Sequence, residues 1–254
     1  MSGICGIAQR DAGASELWRS LDVLLEDLAD FGTVIHRRHE APQVAFGQRQ
    51  DLIYRRDFME HQPVNAGPMS LIADSRLIEP ERLAIALDIG PYARRGMSDS
   101  ELLVAAWQQW GEGALDRIDG EFCLCVWDAA EQRLTLARDP LGLRPLYYAQ
   151  WPRGIAFSSS LTGLLRLPEV DVSLDDQAIA DYLGTVALDD ASTPYRGIRR
   201  LPPGSVLGWS TRRGARQRRY WDIASAPLVH LPTRSRRACR RSSPIAATPT
   251  TRSG

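Results

Sequence analysis

Lysine is missing from this chain of 254 residues, so all 31 of its basic side chains are arginine. They are matched by 31 aspartates and glutamates, and a formal net charge of zero excludes a protein held to nucleic acid or membrane by bulk charge. Cysteine is scarce. Cys5, Cys123, Cys125 and Cys239 are too few and too scattered for the disulfide framework of a small secreted domain. Long apolar runs are also lacking: no stretch approaches the 18 residues of a membrane-crossing helix, and no basic segment followed by an apolar one opens the chain. The expectation is a soluble protein of a reducing, cytoplasmic compartment, with no membrane partner. Cys123 and Cys125 lie two apart on an expected strand and share one face. No second Cys/His cluster completes them into a metal site, so they read as buried strand cysteines and no metal is expected.

What is present supports a sizeable core, since 44% of residues are hydrophobic, too many for global disorder. The zero charge hides an asymmetry: beyond residue 211 the chain carries about +10, and before it about −10. Residues 231–254 have no aromatic side chain and no apolar periodicity. Such a segment cannot bury enough surface to offset its ordering entropy, and disorder is expected there. Arginine contacts to phosphate could suit a nucleic-acid-binding tail, but a truncated or frameshifted end is the favoured reading, and nucleic acid is not the expected partner.

Hydrophobic spacing suggests a first strand over 4–9, then a helix capped by Ser15 that runs to Phe31 and stops at Gly32. A short strand is expected around 43–47, and another from Met69 to Ala73 leading to a turn at Asp74-Ser75. Ser98 and Glu101 form a capping box for a helix to Trp110, closed by Gly111. The run Phe122–Trp127 is apolar on both faces and must be covered on both. Arg133–Ala137, Leu146–Ala149 and Ile155–Ser158 follow as short strands, and Ser173 is expected to cap a helix to Leu183. The pattern is that of a layered α+β protein.

Near the amino terminus stands Ile4-Cys5-Gly6-Ile7. A terminal cysteine combines a thiol nucleophile with an α-amino base, so no histidine is needed to form thiolate. Cys5 as written is acylated by Ile4, and removal of Met1 would expose Ser2 instead. Three later segments extend the reading: DRIDGEFCLCVWD at 116–128, RLTLARDPLGLRPLYY at 133–148 and GIAFSSSL at 154–161. With HQPV at 61–64, SDSELL at 98–103, LPPGS at 201–205 and YWD at 220–222, they resemble the class II (Ntn-type) glutamine amidotransferase domain of the asparagine synthetase family. Lasso-peptide macrolactam cyclases, which resemble asparagine synthetases, belong to the same comparison.

That resemblance implies a four-layer αββα sandwich with two stacked antiparallel sheets over residues 3–223, leaving 224–254 as a basic tail. It implies glutamine as ligand and release of ammonia for ATP-dependent amidation of a carboxylate. The family's ATP-using domain, with its glycine-rich serine loop, has no counterpart in this sequence. No cofactor is therefore expected in this chain; ATP and magnesium would belong to that missing synthetase domain, and a homodimer or a partner synthetase domain could complete the protein. By the family pattern Cys5 is the nucleophile, with Ser2 three residues out of register. Asp74, Ser75 and Arg76 stand where the family has an Asn-Gly-Glu turn that stabilises the oxyanion. Asp99 matches the aspartate for the substrate's α-amine, and Arg49, with Arg55 and Arg56 as alternatives, the arginine for its α-carboxylate. An ionised Asp74 has no hydrogen to donate, so weak or absent hydrolysis is expected from this chain. The alternative is a catalytically decayed structural domain of a macrolactam-cyclase type of protein. Arg138, Asp139, Gly142 and Pro145 are expected to be architectural.

Overall fold

The two-faced apolar run from Phe122 to Trp127 is buried on both faces, with Trp127 only 1% exposed. It lies in the middle of a six-stranded sheet, and that sheet is stacked on a second one. These relations come from a computed structural model, which describes residues 2–11, 13–32, 35–41, 43–53, 55–184, 189–210 and 212–225, with the backbone alone at 35–41 and 55–56. The chain divides into two units, Met1–Asp222 and Ile223–Gly254. Of the second, a short 3-10 turn at Ile223–Ser225 is described; the expected disordered tail, with Cys239, lies outside the described residues.

In chain order the first unit opens with β1 (Gly3–Gln9), α1 (Ala14–Asp27), β2 (Ile35–Ala41), β3 (Val44–Gln50), β4 (Val64–Ala66) and β5 (Met69–Leu77). Then come α2 (Pro80–Ala86), α3 (Pro91–Arg94), α4 (Asp99–Trp110), β6 (Gly120–Asp128), β7 (Arg133–Arg138), β8 (Tyr147–Trp151) and β9 (Gly154–Ser158). It closes with α5 (Leu161–Leu165), α6 (Asp176–Leu183), β10 (Ile198–Arg200), β11 (Ser205–Ser210) and β12 (Gly214–Arg219). The first sheet has the order β10-β8-β9-β1-β3-β2 and the second β12-β11-β7-β6-β5-β4, with antiparallel pairing in both.

Strand alternation sorts the apolar side chains into three cores, which makes the molecule four layers deep. On the outer face of the first sheet Cys5, Ile7, Ala45 and Ala156 meet Leu17, Leu21, Leu24 and Leu25 of α1 and Leu164 of α5. Between the sheets Ile4, Phe46 and Phe157 meet Ile72, Cys125, Trp127 and Leu136. On the outer face of the second sheet Leu71, Phe122 and Leu124 meet Leu83 of α2 and Leu102, Leu103 and Trp107 of α4. Each fully buried leucine or phenylalanine contributes roughly 1.5–3 kcal/mol. Gly6 makes room for a neighbour within the first sheet: a Cβ there would come within 2.6 Å of the Phe157 ring on β9 and 2.9 Å of the Ala45 carbonyl oxygen on β3.

The αββα sandwich, the capping box and the central β6 match expectation, while several boundaries are corrected. α1 begins after Gly13, whose extended backbone (φ −76°, ψ 149°) presents its carbonyl to the N–H groups of Glu16 and Leu17; Ser15 sits inside the first turn. α6 is capped by Asp175, whose carboxylate accepts from Ala178 N–H at 3.2 Å, not by Ser173. No turn interrupts Asp74-Ser75. β5 runs on to Leu77, because β6 supplies a ladder partner for every residue from Met69↔Asp128 to Leu77↔Gly120. β2 and the β11–β12 hairpin carry no strong apolar alternation at their edges and were not foreseen.

Candidate functional site

β1 decides where Cys5 points. Ile4 and Ala8 face the core between the sheets, while Cys5 and Ile7 face α1. Cys5 is fully buried in the middle of a paired strand, opposite Gly47 on one side and Ser158 on the other. A nucleophile must meet its substrate, and in this structure the Cys5 thiol is packed under α1, away from the space between the sheets. Ser2, one residue before β1, continues the pleat on the Ile4 side. It is half-buried, and its hydroxyl oxygen accepts from Asp51 N–H at 3.1 Å.

Arg49 is likewise on the other face. It lies opposite Gly3, and its Nε donates to the Leu25 carbonyl at 3.2 Å. There it satisfies a carbonyl in the last turn of α1, where a cation also suits the helix dipole. Arg49 thus serves as a helix C-terminal partner and does not line the space between the sheets; the side chains of Arg55 and Arg56 lie outside the description. The amides of Gln48 and Gln50, on the inner face of the same strand, are nearly fully buried. Gln48 Nε2 crosses between the sheets to the Ala73 carbonyl at 3.3 Å.

On β5, Ile72 faces inward and Ala73 outward, so Asp74 faces inward and Ser75 outward. Ser75 is paired opposite Phe122, on the α4 side, and does not share Asp74's environment. Asp74 is 6% exposed and is bound by Arg144, whose Nη1 lies 3.3 Å from its Oδ2. Arg144 also holds Glu121, with Nη2 to Oε2 at 3.1 Å. Burial drives the Asp74 carboxyl up to about 6; Arg144 and the positive charge at the chain's amino terminus oppose that rise, and Glu121 adds to it. Burial also pushes the thiols of Cys123 and Cys125 up, and for Cys123 the neighbouring Asp74 pushes further. Both stay protonated at neutral pH and are poor nucleophiles.

Arg144 was not foreseen as a site residue, although it lies within the ARDPLGLRP run. The loop that delivers it is built by the neighbours read as architectural. Arg138 donates to the carbonyls of Arg144, Leu201 and Gly142 at 2.6, 2.7 and 2.5 Å. The Asp139 carboxylate accepts from the N–H groups of Leu141, Leu143 and Arg144 at 3.0, 3.0 and 3.1 Å. Gly142 takes φ +65°, a conformation glycine adopts without penalty.

Asp99 opens α4 behind the Ser98 cap, and its Oδ2 accepts from Leu77 N–H at 2.9 Å. It therefore ends β5 and is nearly fully buried. Beside it stands Glu60, raised by burial and by Asp99, against hydrogen bonds from Ser100 and Gln62. Gln62 pairs with Ala73 as a strand would, accepting its N–H at 2.6 Å and donating to its carbonyl at 2.8 Å. The motif HQPV held Gln62 in view, but its role depends on the fold. Of the five residues expected at the site, Asp74, Ser75 and Asp99 lie toward one end of β5, with Asp74 on its inner face and Ser75 and Asp99 on the α4 side, while Cys5 and Arg49 lie on the α1 side of the first sheet. Among the described residues no group of three or more His, Cys, Asp or Glu could hold a metal ion, and no helix is long and apolar enough to cross a membrane.

Comparison with known proteins sharpens the picture. The profile of a family described as a glutamine amidotransferase domain matches residues 1–221. "Asparagine synthetase [glutamine-hydrolyzing] 3" of Bacillus subtilis is 28% identical over 160 residues, covering 61% of this chain and 25% of the relative. A "Putative asparagine synthetase [glutamine-hydrolyzing]" of Mycobacterium tuberculosis is 35% identical over 109 residues, or 42% and 17% of the two chains. The matched part thus spans a quarter or less of these relatives. In fold, the chain is similar to the glutamine phosphoribosylpyrophosphate amidotransferase of B. subtilis, with TM-score 0.54 and 15% identity over 86% of this chain and 49% of that one.

Proposed function

The chain belongs to the glutamine amidotransferase domain family, and on that premise we propose that it is the glutaminase-type domain of an asparagine synthetase-like protein, with a site that as built hydrolyses glutamine poorly or not at all. The family role would be to release ammonia from glutamine for amidation of a carboxylate, with ATP and magnesium used by a separate synthetase domain. One observation carries the reading of a disabled site: at the place of the expected oxyanion donor stands Asp74, ion-paired to Arg144. An ionised carboxylate repels a developing oxyanion, and losing one such donor costs on the order of 10²–10³ in rate. The role left to the domain is then structural, as in a macrolactam-cyclase type of protein.

A second reading has its own observation, the half-buried Ser2 at the head of β1, whose hydroxyl is held by Asp51 N–H. With Met1 removed, the Ser2 hydroxyl could attack the side-chain carbonyl of glutamine while the α-amine takes its proton. Ammonia would leave, and water would release glutamate from the Ser2 ester.

Glutamate release from glutamine tests both. The intact chain should stay at background, Ser2→Cys combined with Asp74→Asn should gain at least tenfold, and Cys5→Ala should change nothing. Robust turnover by the intact chain that vanishes in Ser2→Ala would replace the first reading with the second. Turnover that vanishes in Cys5→Ala would overturn the placement of the site.

A further inference from the structure

At the end of the sandwich opposite Ser2 and Asp74 lies a cavity of about 560 Å³. β1 has left the sheet there, β8 ends at Trp151 and β9 begins at Gly154. Its lining includes Arg10, Arg153, Arg196 and Arg199, all exposed, and no carboxylate among its described residues. The neighbouring acids neutralise these cations weakly. Arg153 is 3.7 Å from Asp11, with both side chains about two-thirds exposed (64% and 66%), and such pairs contribute little. Arg196 donates Nε to the Leu174 carbonyl at 3.0 Å and stands near Asp171, while Arg199 stands near Asp189. Trp151 adds a buried indole N–H with no hydrogen-bond partner among the described residues.

The adjoining groove, about 930 Å³, gives the contrast. Its lining holds two carboxylates, Glu112 and Glu131, beside five arginines, and Arg133 and Arg218 are both bound to Glu112, the latter at 2.6 Å, so part of its charge is answered within the groove itself. Four guanidinium groups around one small cavity call for more negative charge than a single carboxylate carries. Guanidinium forks match phosphate oxygens bidentately, and the volume is that of a small-molecule site.

We propose that this cavity binds a small ligand bearing a chain of phosphates, such as a nucleoside triphosphate or inorganic tripolyphosphate, independently of glutamine chemistry at the other end. Isothermal titration of the full chain at low ionic strength, without divalent cations, would use ATP, tripolyphosphate, citrate and adenosine. ATP and tripolyphosphate should bind, adenosine should not, and binding should weaken on raising salt to about 150 mM, where screening shortens to about 8 Å. Arg153→Ala with Arg199→Ala should weaken binding at least tenfold, the corresponding double lysine variant less, and Arg216→Ala, in the adjoining groove, less than twofold. A nucleoside triphosphate as ligand is distinguished by ATP binding more tightly than tripolyphosphate. Absence of binding, citrate or adenosine matching ATP, or equal weakening in Arg216→Ala would overturn the proposal.

Discussion

Asp74 carries an unusual burden for one side chain. It is buried between two sheets, its charge is answered by Arg144, and Arg144 is shared with Glu121. Desolvation still wins, and the carboxyl is pushed up from 3.8 to about 6. The fold therefore holds this proton more tightly than the unfolded chain does. The penalty for ionising Asp74 in the fold is absent below about pH 4 and complete once pH has risen through about 6. Asp74→Asn removes the titration but keeps the shape. Measured by thermal unfolding, the variant's stability relative to the parent should rise by about 2 kcal/mol between pH 4 and pH 7, or about 4–8 °C in Tm. A difference that does not change with pH would mean that Asp74 ionises in the fold as it does in water.

Among the elements, α4 shows most clearly how sequence and site are linked. The Ser98 hydroxyl accepts from Glu101 N–H at 3.2 Å, and Ser98 N–H donates back to the Glu101 carboxylate at 2.7 Å. The same first turn sets Asp99 against Leu77 N–H and Ser100 against Glu60. Ser98→Ala should cost about 1 kcal/mol, read as a lower denaturation midpoint with an unchanged slope. Glu101→Ala should cost less, since one of the two reciprocal bonds survives. This helix was legible because both caps and the apolar stripe agree, and β6 because apolar side chains fill both of its faces. The sequence ends β5 early because Asp-Ser suggests a turn locally, and only the β6 ladder carries the strand on to Leu77. The same limit hid the site. Strand parity separates Cys5 from Ser2 and Ser75 from Asp74, but parity reveals a face only when the layers on each side are known. Arg144 reaches Asp74 across 70 positions of sequence, a closeness no local pattern encodes.

Across the whole first unit, the two sheets share one core and each has a helical layer of its own, so neither sheet can lose its partner without exposing an apolar face. The thiols sample two of the three cores: Cys5 lies under α1, and Cys123 and Cys125 lie between the sheets. All three are fully buried. If the layers open together, alkylation of Cys5 and Cys123 in mild denaturant should report the same opening free energy. Mapping the modified peptides by mass spectrometry separates them from Cys239. In the native protein without denaturant, both should label many times more slowly than the same thiols in the unfolded chain. If Cys5 instead reacted within minutes while Cys123 stayed protected, the first sheet would be opening at β1, and the strand parity that turns Ile4 to the space between the sheets and Cys5 to α1 would no longer describe the working molecule. Equal protection would tie Cys5 and Cys123 to cores that open only when the whole sandwich does.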